Sequence, residues 1–142
     1  MRFSLPVLLV AFAATTSAAE IPIVADGSAR AVVALSENAT PVARYAAEEF
    51  VHHVQKATGV KLAVVSEKEL PSQPAGRVFI GDGDHARKAG IEASKLSPET
   101  FVLRTRDSAL FIVGGDGEGE PLDVNTPAGT LFGVYEALER AL

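Results

Sequence analysis

The run RAVVALSENATPVARYAAEEFVHHVQKATGVKLAVVS, residues 30–66, decides the fold. Arg30 to Leu35 and Leu62 to Ser66 are short β-rich runs, and the segment between them repeats with a helical rather than an alternating period. Thr40-Pro41 reads as an N-cap followed by a proline at the first helical position, and Gly59 as the residue that ends the helix. A helix is therefore expected from Pro41 to Ala57. Its apolar arc gathers Val42, Ala43, Ala46, Phe50, Val54 and Ala57, with Arg44, Glu48 and Gln55 opposite, which is a face built to lie on a sheet. Strand, helix and strand in that order form a crossover, and such a crossover sets its two strands parallel with a right-handed connection.

Working outward, Ile21 to Ala25 precedes this unit and meets it at Asp26-Gly27, a hairpin-turn pair. Pro71 to Pro74 is a polar loop, Arg77 to Ile80 a strand, and Asp84 to Ala89 barely two helical turns before Gly90. Phe101 to Thr105 and Leu110 to Val113 flank Arg106-Asp107-Ser108 as an antiparallel hairpin. A glycine-rich acidic loop, Gly114 to Asn125, leads to a last helix carrying Leu131, Val134, Tyr135 and Leu138 on one stripe. The expected fold is α/β with an α+β flavour: a mixed sheet with its helices packed mainly on one face. That last helix ends in apolar Ala141-Leu142 without a stop signal, so further packing beyond it is expected.

Residues 1–19 read as a secretory signal peptide. Met1-Arg2 is the basic start, Leu5 to Ala14 the apolar run, and Ser17 and Ala19 the small residues before the cut. The run falls short of the ~20 apolar residues that span a bilayer. Residues 20–142 are then one domain, large enough for a real core. Removing Arg2 from the 13 basic residues leaves 12 against 18 acidic ones, or −6. Such a balance disfavours nucleic acid and anionic membrane surfaces as partners. The absence of cysteine excludes disulfides, thiolate metal sites and cysteine nucleophiles. Export implies a periplasmic or extracellular location.

Four features invite a site and are read conservatively. RVFIGDGDHA, residues 77–86, fits the spacing of a dinucleotide turn, but the following helix is short, and Asp82 and Asp84 put negative charge where a pyrophosphate would lie. The expected reading is a tight turn with Asp82 or Asp84 capping the short helix. Asp116, Glu118 and Glu120 alternate like calcium ligands, yet the twelfth position is Pro127, so loop 114–125 reads as solvated rather than as a calcium site. His52 and His53 pair at helical spacing with Glu48 and Glu49, a surface arrangement and no metal motif. No G-x-S-x-G elbow is present, Tyr135 falls on the apolar stripe and reads as core, and only Tyr45 stands beside it as a second tyrosine. No catalytic, metal or cofactor residue is assigned, and no cofactor is expected.

Taken together, ENATPVARYAAEEFVHHVQKATGVKL, RVFIGDGDHARKAGI, ETFVLRT and LFIVGGDGEGEPLDVNTPAGTLFGVYEALERAL resemble the N-terminal domain of secreted α-glucuronidase-like glycoside hydrolases. That domain is similar in turn to the small α/β domain preceding the barrel in β-N-acetylhexosaminidases. The resemblance covers about residues 30–142, and AAEE…ATGV with GTLFGVYEALE are its most specific parts. It departs at Pro127-Ala128-Gly129, where many relatives carry an arginine near the Gly-Thr-Leu motif. The resemblance implies a non-catalytic accessory domain whose partner is a catalytic (β/α)8 barrel of the same or a partner chain, with the parent protein a glycoside hydrolase of glycan degradation. The alternative is a stand-alone periplasmic carbohydrate-binding module, with glycan as the partner. A small independent hydrolase using acids of the 82–84 or 116–123 loops is the third reading.

Overall fold

The computed structural model describes residues 20–142, so the signal-peptide reading of residues 1–19 lies outside the described residues. Strands β1 (Val24–Ala25) and β2 (Ser28–Ala29) form a small antiparallel hairpin of their own. Asp26 and Gly27 both take positive φ, 52° and 70°, as the tight turn between them requires. The first run thus pairs with Ser28–Ala29 and not with the strand after Arg30, a correction to the expected hairpin.

Five strands make the main sheet: β3 (Ala31–Leu35), β4 (Val64–Ser66), β5 (Gly76–Ile80), β6 (Phe101–Arg106) and β7 (Ala109–Gly114). Their order is β4-β3-β5-β7-β6. β3 is parallel to β4 and β5, β5 is parallel to β7, and β6 returns antiparallel to β7. The mixed sheet is as expected. β4 starts two residues later than read, because Leu62 drops out of the ladder to bury itself under helix α1.

Helix α1 (Pro41–Thr58) has the caps its sequence announces. The Thr40 hydroxyl accepts the Ala43 N–H at 3.0 Å, and Gly59 turns left-handed with φ 77°, where a side chain would be strained. Its buried face is Val42, Ala43, Ala46, Ala47, Phe50, Val51 and Val54. Ala57, expected on the apolar arc, is exposed together with the rest of the segment 55–59.

Helix α3 (Gly129–Ala141) lies beside α1 on the same face. Alternation along the strands divides the core between the two faces. Ala31, Val33, Leu35, Val78, Ile80 and Ile112 pack under α1 and α3. Ala34, Phe79, Ala109, Phe111 and Val113 face the other way, onto the five-residue helix α2 (Asp84–Lys88) and Ile91. Both long helices thus cover one face, and the second face is only partly roofed.

Candidate functional site

Parallel strands β3, β5 and β7 all end on one edge of the sheet, and a cleft of about 370 Å³ opens there. In open α/β sheets this carboxyl edge is where ligands are commonly held. The segment after β3 supplies Asn38 and Thr40, the turn after β5 supplies Asp82, and the loop after β7 supplies Gly115, Asp116 and Glu118.

The base of the cleft is a polar knot. Asp116 accepts the Thr130 N–H at 2.7 Å and the Thr130 hydroxyl at 2.6 Å, while the Thr40 hydroxyl donates to it at 3.3 Å. Thr130, fully buried, accepts the Gly114 N–H at 3.0 Å. The first turns of α1 and α3 are thereby tied to the end of β7. Ala128, the N-cap position of α3, has no side chain to do this, so Asp116 caps the helix from a distance. Only glycine fits at 114, because a Cβ there would overlap the backbone of Gly129 and Thr130. Burial pushes the Asp116 carboxyl above its ordinary value, and the hydrogen bonds from Thr130 and Thr40 offset this only in part. The acidic loop is therefore not simply solvated. Its first acid is structural, while Glu118 and Glu120 stay exposed. Among the described residues no group of three His, Asp or Glu side chains is placed to hold a metal ion.

The turn at Gly81 to Asp84 resolves in a similar way. The cap of α2 is neither Asp82 nor Asp84 but Glu67, which is only 7% exposed. Its carboxylate accepts the N–H of Asp84 at 2.9 Å and of His85 at 3.3 Å, and it faces His85 Nδ1 at 3.1 Å. Where a pyrophosphate would bind in a dinucleotide turn, this chain supplies its own carboxylate. Burial alone would raise Glu67, but the hydrogen bonds from Asp84 and from the ring and backbone of His85 outweigh it and hold the group below its ordinary value. Asp82 and Asp84 instead grip Arg87 at 2.7 and 2.8 Å. Sequence reasoning missed Glu67 altogether. The one available signal was a cap position occupied by Gly83, which has no acceptor to offer.

The paired histidines sit on the outer face of α1. His53 lies 3.5 Å from Glu49, and Glu49 accepts the Tyr135 hydroxyl at 2.9 Å from α3. Tyr135 is 39% exposed, not core, because it stands on the outer edge of the stripe between the two helices. Burial of its hydroxyl and the hydrogen bond to Glu49 push its pKa up to about 12. Phe132, one turn earlier, is also exposed.

No family model matches the chain, and no curated protein matches it. Among solved structures it is similar to a family GH115 4-O-methyl-α-glucuronidase with specificity for decorated arabinogalactans, with a TM-score of 0.50 and 19% identity. The similarity covers 77% of this chain and 13% of that one. At this identity the likeness carries the fold, a mixed α/β sheet of a kind present in a glycoside hydrolase. No helix among the described residues is long and apolar enough to cross a membrane.

Proposed function

We propose that residues 20–142 form a non-catalytic accessory domain of an exported, α-glucuronidase-like glycoside hydrolase, set ahead of a catalytic barrel. The observation that carries this reading is the likeness of the fold to a portion of an enzyme that acts on decorated arabinogalactans, a portion amounting to 13% of its chain. The use of the acids supports it. Glycoside hydrolysis takes two carboxyl groups facing each other across a cleft at about 5–10 Å. Here Glu67 and Asp116 are bonded to helix starts, and Asp82 and Asp84 to Arg87. Export rests on the pattern of residues 1–19. The exposed aromatic rings of Phe132 and Tyr135 on α3 offer a face for packing against the barrel.

Two measurements test the reading. The native product recovered from its host should have an intact mass several-fold above 14.8 kDa, the mass of the 142-residue chain. The chain itself should release no aryl alcohol from an aryl glucuronide above the buffer rate. Turnover by the chain alone would sink the accessory role, and a native mass at or below 14.8 kDa would sink the barrel.

A further inference from the structure

The partly roofed face of the sheet carries a recess of about 430 Å³ that differs in character from the rest of the molecule. Its walls follow from the strand registers. Arg77 on β5 lies opposite Ala109 on β7, and Ala109 opposite Arg106 on β6, so two arginines flank a residue no larger than a methyl group. One row along, Phe79 and Phe111 stand side by side, their rings stacked at 5.1 Å. The His85 ring stacks on Phe79 at 4.6 Å and forms the more exposed end of that stack. Lys88, from the end of α2, lines the same recess.

The charge balance is unusual for this chain. Among the side chains lining it, Arg77, Lys88 and Arg106 face one acid, Asp107, in a protein whose net charge is −5. The Glu67 carboxylate is held against His85, and Asp84 is within electrostatic reach of Lys88. Arg77 is held in place by the carbonyls of Pro71, Pro74 and Gly76, which orient its guanidinium without neutralising it. Asp107 lies 3.4 Å from Arg106, but both are well exposed, so their attraction is screened. Lys88 has no ion-pair partner among the described residues.

We infer that this recess binds a carboxylate-bearing sugar, its ring against His85 and its carboxylate between Lys88 and Arg106. The volume suits a sugar ring, and an aromatic stack beside cations offers an apolar body and a charged tip their separate partners. The sugar half of this assignment rests on the proposed function. The anion half rests on the recess alone.

Backbone amide NMR of the protein, titrated separately with sodium D-glucuronate, D-glucose and sodium acetate, tests it. Glucuronate should shift the Lys88, Arg106 and Ala109 resonances saturably, about tenfold more tightly than either control, and less tightly as salt is raised. Arg106→Gln and Lys88→Gln should each weaken glucuronate about tenfold while leaving the remaining spectrum in place. Acetate binding as tightly as glucuronate would overturn the sugar, and glucose doing so would overturn the anion site. The absence of any saturable shift would overturn both. None of these results bears on the accessory role, which mass and hydrolysis decide separately.

Discussion

Helices α2 and α3 start at residues with no side-chain acceptor, Gly83 and Ala128, and each borrows a carboxylate from another part of the chain. Glu67 serves α2 and Asp116 serves α3. The environments of the two acids nevertheless push them in opposite directions. Glu67 is surrounded by donors, including the His85 ring, and is held below its ordinary value. Asp116 sits among threonine hydroxyls, with Glu118 nearby, and its desolvation outweighs those hydrogen bonds and pushes it above its own. The same structural duty is thus performed by an acid that prefers its charge and by one that resists it.

The largest effect should come from the backbone seam beside Asp116. Gly114→Ala puts a Cβ into the backbone of Gly129 and Thr130, which cannot retreat, and should cost about 3 kcal/mol or more in urea unfolding. Gly83→Ala meets first the Glu67 carboxylate, at 2.7 Å, and that side chain can swing aside at a cost of about 1 kcal/mol. Equal losses would show that the two ends are not built differently. Next, Asp116→Ala leaves the Thr130 and Thr40 donors without a partner and should cost about 2–3 kcal/mol. Glu67→Ala, whose donors reach solvent more easily, should cost about 1–2 kcal/mol.

The pH dependence sharpens the contrast. A carboxyl lowered by folding contributes stability that is present above its unfolded value and lost as pH falls through the folded one. Wild type should therefore lead Glu67→Gln fully at neutral pH, and that lead should shrink below about pH 4.5, the group's ordinary value. A raised carboxyl has the opposite sign. The contribution of Asp116 is full below its ordinary 3.8 and is lost as pH rises through its folded value, so Asp116→Asn should gain on wild type as pH rises toward neutrality. Parallel curves for the two variants would remove the distinction. The smallest effect should be Tyr135→Phe, about 0.5 kcal/mol by thermal melting, since its hydroxyl bonds to Glu49 at a half-exposed site.

What could be read in the sequence was local. Thr40-Pro41 and Gly59 bound a helix through contacts within a few residues of themselves, and Asp26-Gly27 needs only its own φ values to make a turn. The runs 77–80 and 110–113 are likewise legible as strands, while the face each side chain takes follows from the pleat of the sheet. The carboxylate caps were not legible, because Glu67 and Asp84 are 17 residues apart and Asp116 and Thr130 are 14 apart. Nearby Asp82 and Asp84 offered a simpler cap, and the Arg87 side chain took them instead. Tyr135 shows the same limit: a stripe on a helix does not say where the neighbouring helix ends its cover. The cationic recess depended on register across three strands, which no single segment states.

The strand order also determines which backbones are left unpaired. The two flanks of the sheet are β4 and β6, and each is guarded against recruiting a stranger's chain. β4 is three residues long, and the chain leaves it at once to bury Glu67. β6 is longer but ends in exposed Arg104, Thr105 and Arg106, whose charges repel a second copy of the same strand. The helical face can therefore stay open to contact while the sheet declines to polymerise.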